Sequence, residues 1–290
     1  MKKNHPQILV LGATGMLGRT VYKYLLKLYG KNIAGTSREK NNNAFKYFNF
    51  KTSSDLASIL RDQKFNFVIN CIGALRGEST KNLRLLNHAL PKKLEEESRK
   101  NNFVIIHIST DAVFPTNAGA VYEDSKPNPS DYYGKTKLAG EITTGINIRS
   151  SILGFDPVEN KGLLEYVLKS MNKEIIGFTN QMWSGSTTLQ LAQFIEWLIS
   201  ANNFKDLLEK TNIIHFVPLG PTTKYEILKT FSKLIFKDKI IKGEGLKQTR
   251  ILKTRYIEDL GVKRYTESPE KAFNDLINFE QSYVKIYKKN

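Results

Sequence analysis

A single cysteine, Cys71, leaves this 290-residue chain without the means to form an intrachain disulfide, and its thiol content gives no sign of an oxidising compartment. No run of about 18 apolar residues occurs either, so no membrane-spanning helix is expected. Histidine is scarce. His5, His88, His107 and His215 are far apart and show no metal-ligand spacing, so no metal is expected, and His107, inside an apolar run, reads as a core residue. Acidic residues are also few, with 28 Asp and Glu against 44 Lys and Arg and a net charge of +16. Clustered cations bind nucleic acid through phosphate contacts. Here the lysines are scattered, thickening only between Lys224 and Arg264, so the expected partner is an anionic small molecule and not nucleic acid. Hydrophobic residues at 40% and charged residues at 25% are ordinary for a soluble chain. A cytoplasmic protein with no membrane partner is therefore expected, and internal repeats and low-complexity tracts are lacking as well.

What is present is an alternation of short apolar runs with helical patterns, the signature of a parallel sheet covered on both faces. Gln7 to Leu11, Asn32 to Gly35, Phe45 to Phe48, Phe65 to Asn70, Phe103 to Ile108 and Ile146 to Arg149 read as strands. Met1-Lys2-Lys3 before Ile8-Leu9-Val10-Leu11 has the outline of a secretion signal. Gly12, Gly15 and Gly18 break it, so it reads as the first strand and turn. Helices are expected over Gly15 to Tyr29, with Leu17, Val21, Leu25 and Leu28 on one stripe, from Ser53 or Ser54 to Asp62, and over Asp131 to Thr143. Thr80 to Lys100 is also helical in pattern, with Pro91 kinking it or starting a new helix. A long loop is expected from Phe114 to Pro129. Beyond Ser151 the pattern is less regular. Leu163 to Met171, Thr187 to Ser200, Lys224 to Leu234 and Pro269 to Ile277 read as helices, and Ile175 to Phe178 and Ile213 to Val217 as strands.

Three motifs carry chemistry. Gly12-Ala13-Thr14-Gly15-Met16-Leu17-Gly18 follows the first strand and opens the first helix, where glycines permit a tight turn and a pyrophosphate can approach backbone N–H groups. The second strand ends in Gly35-Thr36-Ser37-Arg38. An arginine there accommodates the 2′-phosphate of NADP, whereas Glu39, one residue on, would instead suit the ribose hydroxyls of NAD. NADP(H) is favoured, with NAD(H) the alternative. Tyr133 and Lys137 stand four apart near the start of a helix, so both project from one face. They follow the strand whose carboxyl end carries Ser109-Thr110-Asp111, the end at which parallel sheets bind ligands.

Together with Ile108 to Phe114, Tyr122-Glu123-Asp124, Asn128-Pro129, Tyr133 to Glu141 and Ile148 to Ser151, these residues resemble the dTDP-4-dehydrorhamnose reductase family of extended short-chain dehydrogenases. The resemblance is dense over the first 155 residues and thinner beyond, where it rests on Gly185 to Ala192. It implies an α/β fold, a Rossmann-type doubly wound parallel sheet with a smaller C-terminal substrate-binding region. Residues 1–150 would form the NAD(P)-binding domain and 151–290 mainly the substrate-binding region, some elements rejoining the first domain. The implied cofactor-binding residues are Gly12, Thr14, Gly15, Met16, Leu17, Gly18, Arg38, Asn49, Phe50, Cys71, Ile72, Gly73, Tyr133 and Lys137. Thr110, Tyr133 and Lys137 would be catalytic, and Thr110, Asp111 and Ile152 would touch the sugar.

The implied reaction is NADPH-dependent reduction of a keto group, at C4, on a nucleoside-diphosphate-linked 6-deoxy sugar, as in dTDP-rhamnose biosynthesis. Tyr133 would give the proton, its phenol pKa drawn down by Lys137. Two departures from the family pattern touch the substrate side: Ala112 stands where an aromatic is usual, and Ile152 where a tryptophan is usual. Ala112 also stands where related dehydratases place an acid, which disfavours dehydration. A 4-epimerase and a non-catalytic NADP-binding regulatory subunit are the alternatives, and a homodimer is compatible with either.

Overall fold

The computed structural model describes residues 5–40, 42–61, 63–170, 173–200, 203–235, 240–256 and 268–288. The chain forms two units. Met1–Val113, Pro127–Arg149 and Ala192–Ile214 make the first; Phe114–Lys126, Ser150–Leu191 and His215–Asn290 make the second.

The first unit is built on strands β1 (Ile8–Leu11), β2 (Ile33–Ser37), β3 (Lys46–Tyr47), β4 (Phe67–Asn70) and β5 (Val104–Ile108). With Ile146–Arg149 and Ile213–His215 they form a seven-stranded sheet in the order β3-β2-β1-β4-β5, then Ile146–Arg149, then Ile213–His215. The pairings from β3 through to Ile146–Arg149 are parallel. Their sequences explain this. β1 and β4 are buried at every position, as strands covered on both faces must be. Strand order reverses between β1 and β4, and ligands of such sheets bind outside the carboxyl ends of the strands at that switch. Leu9, Leu11, Phe48, Phe50, Leu56, Val68, Leu94 and Ile105 belong to one core cluster under it, each large side chain contributing about 1.5–3 kcal/mol on burial.

Helix α1 (Met16–Tyr29) buries Leu17, Val21 and Leu25 as its stripe requires, but Leu28 is exposed and Tyr29 is buried in its place. At 3.6 residues per turn the stripe runs on to either position. Tyr29 fills it because its ring meets His5 edge-on and its hydroxyl reaches Glu196. The helix expected from Thr80 to Lys100 is divided: Thr80–Arg84 is α-helical, Leu85–Ala89 widens into a π turn, and Leu90–Asn101 resumes with Pro91 in its first turn. Proline has no N–H to give the Asn87 carbonyl, and its ring would strike that carbonyl in a regular helix. Tyr132–Ala139 is helical and ends at Gly140, short of the expected Thr143. There a side chain would meet the Asn87 carbonyl carbon and Pro91 Cγ, each at 3.0 Å. The helix after Thr52 runs Ser53–Arg61; Asp62 and the side chains of Ser53 and Ser54 lie outside the described residues.

In the second unit Ser151–Leu153, Met182–Thr187 and Leu219–Thr223 form a three-stranded sheet, and two strand pairs join Ile175–Phe178 to Ile240–Gly243 and Ala120–Val121 to Ile251–Leu252. Its helices include Leu163–Lys169, Lys224–Ile235, Pro269–Phe279 and Gln281–Lys288; Met171 lies outside the described residues. Phe155, Phe231, Phe273 and Tyr283 pack ring against ring as its aromatic centre.

Candidate active site

Four strands of the first unit deliver residues at their carboxyl ends. After β1, the turn is stitched to β2, with the Gly12 N–H donating to Thr36 Oγ1 at 3.0 Å and the Ala13 N–H to Thr36 O at 2.9 Å. Gly12 has φ +75°, and a Cβ at Gly18 would lie 2.7 Å from the Gly12 carbonyl carbon, so both positions exclude a side chain. Gly15 is different. It caps α1 with ordinary extended backbone, and an added Cβ would meet nothing nearer than Gly12 O at 3.6 Å. No side chain caps this end of α1 and no acid stands in its first turn. The amide end of α1, with Met16 and Leu17, thus keeps the partial positive charge of a helix N-terminus with no acid in the first turn to offset it.

After β2, Arg38 is exposed beside Glu39, whose carboxylate accepts from Asn42 at 3.5 Å. Asn49 is half-buried, and the Phe50 ring is buried in the core with Phe48. After β4, the Cys71 N–H reaches Leu11 O at 3.2 Å, and Gly73 is so placed that a Cβ would sit 3.8 Å from Lys137 Nζ. Burial pushes the Cys71 thiol up to about 12, with the Lys137 charge pulling the other way.

After β5, Thr110 is buried; its hydroxyl donates to Asp111 Oδ1 at 3.1 Å and accepts from the Ala112 N–H at 3.2 Å. The Tyr132–Ala139 helix starts at Asp131, whose Oδ1 accepts from the Gly134 N–H at 2.7 Å. Gly134 lets that helix press on the Ala112 carbonyl, since a Cβ there would also meet Pro129 Cβ at 2.8 Å. This close approach sets Tyr133 beside Thr110, near enough for the hydroxyl to act on the phenol. One turn on, Lys137 Nζ is buried and donates to Ile108 O at 2.6 Å.

The electrostatics differ from expectation. Burial raises the Tyr133 phenol above its ordinary value; the Thr110 hydrogen bond and Arg76 oppose this, while Asp111 and Asp131 reinforce it. The cation at the ring is Arg76, with its guanidinium carbon 4.7 Å from the ring centre and Nε on Asp131 at 2.7 Å. Lys137, turned to Ile108 O, is itself drawn down to about 8 by burial, with Glu141 resisting.

Tyr133, Lys137, Thr110 and Gly73 are thus brought together. Ile152 lies in the second unit, in the Ser151–Leu153 strand. Sequence reading missed Arg76, Asp131 and Asn87. Asn87 is fully buried; it accepts from the Ala74 N–H at 2.8 Å and donates to Ala74 O at 3.1 Å and Thr136 Oγ1 at 3.3 Å. Its one signal was its place four residues before Pro91. Among the described residues no group of three His, Cys, Asp or Glu is arranged to hold a metal, and no helix is long and apolar enough to cross a membrane.

Comparison with known proteins agrees with this architecture. The methionine adenosyltransferase 2 subunit beta of Xenopus tropicalis is 33% identical over 137 residues, 46% of this chain and 41% of the relative. A dTDP-4-dehydrorhamnose reductase of Streptomyces griseus is 29% identical over 141 residues, 47% of this chain and 44% of the relative. The chain therefore matches less than half the length of these curated relatives. The crystal structure of dTDP-4-dehydrorhamnose reductase from Bacillus anthracis, in complex with NADP, shares the fold with a TM-score of 0.69 at 18% identity, over 90% of this chain and 98% of that one. A family model described as the RmlD substrate binding domain matches residues 6–251. Over most of its length, on a Rossmann-type sheet, the chain belongs to the RmlD substrate binding domain family.

Proposed function

We propose that the chain is an NADPH-dependent reductase that converts a keto group, at C4, of a nucleoside-diphosphate-linked 6-deoxy sugar into a hydroxyl. The observation that carries this reading is the convergence of Thr110, Tyr133 and Lys137 below Gly73, at the sheet end where the glycine turn opens α1. Gly12 to Gly18 would hold the pyrophosphate, and Arg38 the 2′-phosphate. When bound, the nicotinamide supplies the hydride. Tyr133 delivers the proton to the keto oxygen, and Thr110 holds that oxygen by a hydrogen bond. A phenol raised by burial suits this direction, because it stays protonated at neutral pH until negative charge develops on the oxygen beside it. Lys137 supplies a buried positive charge one turn away and, by its place under Gly73, a hold on the nicotinamide ribose. Asp111 and Ile152 would meet the sugar, as part of a substrate-binding role for the second unit.

A second reading is a nicotinamide-nucleotide-binding subunit without turnover, and the likeness to methionine adenosyltransferase 2 subunit beta favours it. One experiment separates the two. Purified protein is assayed for NADPH oxidation against dTDP-, UDP- and GDP-linked 4-keto-6-deoxy sugars, with NADPH affinity measured in parallel. Turnover of one of them supports the reductase; tight NADPH binding with no turnover supports the subunit.

A further inference from the structure

Beneath Lys137 lies a buried polar group that the reaction as described does not use. Lys137 is anchored on Ile108 O, and the next residue, Ser109, donates its N–H to Ile148 O at 2.7 Å and its hydroxyl to Glu141 Oε1 at 2.7 Å. Arg149 closes the arrangement from the neighbouring strand, with Nε on Glu141 Oε1 and Nη2 on Glu141 Oε2, both at 2.7 Å. The Arg149 and Glu141 side chains are 1% and 9% exposed. Lys92 adds a third cation, on the Glu141 backbone carbonyl, while its ammonium also lies 3.7 Å from Glu95.

The charges around Lys137 are therefore uneven. After β4 stands Cys71, a thiol held neutral by burial; on β5 stands His107, kept neutral by burial and by the charges of Lys137 and Lys92. On its own helix stands Tyr133, a neutral phenol. Arg149 cannot shed its proton, whereas a buried lysine can. Glu95 is taken up by Lys92 and by the Thr143 and Thr144 N–H groups, so of the two carboxylates named it is Glu141 that lets the two buried cations, Lys137 and Arg149, coexist. We propose that Glu141 is a positioning residue for the reaction, keeping the Lys137 ammonium charged and anchored at the carboxyl end of β5; this rests on the part assigned to Lys137 in turnover. The lowering of Lys137 to about 8 is in keeping with it, since burial and Glu141 act on the ammonium in opposite senses.

The test follows Lys137 directly, by NMR titration of its Cε and Nζ resonances in full-length protein with labelled lysine, assigned with Lys137→Met. This readout needs no turnover. Glu141→Gln keeps the shape and removes the charge, and should move the Lys137 midpoint down by about one unit or more. Arg149→Met leaves the carboxylate without its arginine and should move the midpoint up. The alkaline limb of kcat should move in the same senses. A merely structural role would shift both variants in one direction; that result, or a midpoint unmoved by Glu141→Gln, overturns the proposal. If Glu141→Gln does not fold, Arg149→Met decides by itself, an upward shift supporting the proposal and an unchanged or lower midpoint overturning it. Failure of the functional reading shows separately, as native protein whose Lys137 titrates as expected while no sugar nucleotide is reduced.

Discussion

Gly134→Ala pits local propensity against packing. Glycine inside a helix costs about 1 kcal/mol relative to alanine, so propensity by itself predicts a gain. The surroundings predict a loss. A Cβ at Gly134 falls 2.8 Å from Pro129 Cβ and 3.1 Å from Asp131 Oδ1, with the Ala112 carbonyl oxygen nearer still, whereas carbon atoms in ordinary contact keep about 3.5–4 Å. A proline ring and a backbone carbonyl cannot rotate away, so the start of the helix must slide outward by roughly 1 Å, at a cost of about 1–3 kcal/mol. Net stability should fall by up to about 2 kcal/mol after the propensity gain. Tyr133, the adjacent residue, moves with the helix, and a misplacement of that size costs about a hundredfold in rate. Urea midpoints and kcat for sugar-nucleotide reduction measure the two effects. Gly15→Ala is the matched control: its backbone is ordinary and its nearest contact is 3.6 Å, so folding should be unaffected while NADPH binding weakens. A Gly134→Ala protein with normal turnover and raised stability would refute the packing argument.

Arg38→Ala should weaken NADPH binding by about 1–3 kcal/mol and leave NADH nearly unchanged in parallel calorimetric titrations; equal losses would remove the 2′-phosphate assignment. Glu95 bears on acid stability. Burial opposes its charge, but hydrogen bonds from Thr143 and Thr144, with Lys92, hold it at about 2 against an ordinary 4.5. Its contribution is therefore present above about pH 4.5 and lost as pH falls through 2. Glu95→Gln should be the less stable protein at neutral pH, with a gap in urea midpoint that narrows as pH falls toward 3; a constant gap would contradict this. Cys71, pushed up to about 12, should react with iodoacetamide at pH 8 far more slowly than free cysteine, and comparable rates would show the thiol to be less buried than described.

Much of the first unit was legible in the sequence because its signals are local. Continuous apolar strands, two glycines between β1 and α1 with a third in the first turn of α1, and a tyrosine four residues before a lysine each announce themselves locally. What escaped depends on partners far apart in the chain. Arg76 finds Asp131 across 55 residues and Ser109 finds Glu141 across 32, and neither pairing leaves a periodic trace. Phe48 and Phe50 both belong to the core cluster, as alternate residues of an extended segment sharing a face do. Lys137 was expected to lower the Tyr133 phenol. Spacing of four put them on one helix face, but could not tell that the Ile108 carbonyl would take the ammonium and that Arg76 would lie over the ring. The polar strand Met182–Thr187 was missed because its pairing with Ser151–Leu153 is non-local.

Single-turnover reduction with Tyr133→Phe isolates the proton delivery assigned to the Tyr133 hydroxyl. NADPH-loaded protein is mixed with the 4-keto sugar nucleotide that the native protein reduces, and hydride transfer is followed by loss of nicotinamide absorbance. The phenylalanine keeps the ring beneath Arg76 and removes the hydroxyl proposed as the proton donor. The rate should fall by about two orders of magnitude or more while NADPH affinity holds, and Tyr132→Phe, at an exposed position, should change it only a few fold. A Tyr133→Phe protein that transfers hydride at the native rate would show that Tyr133 is not the proton donor.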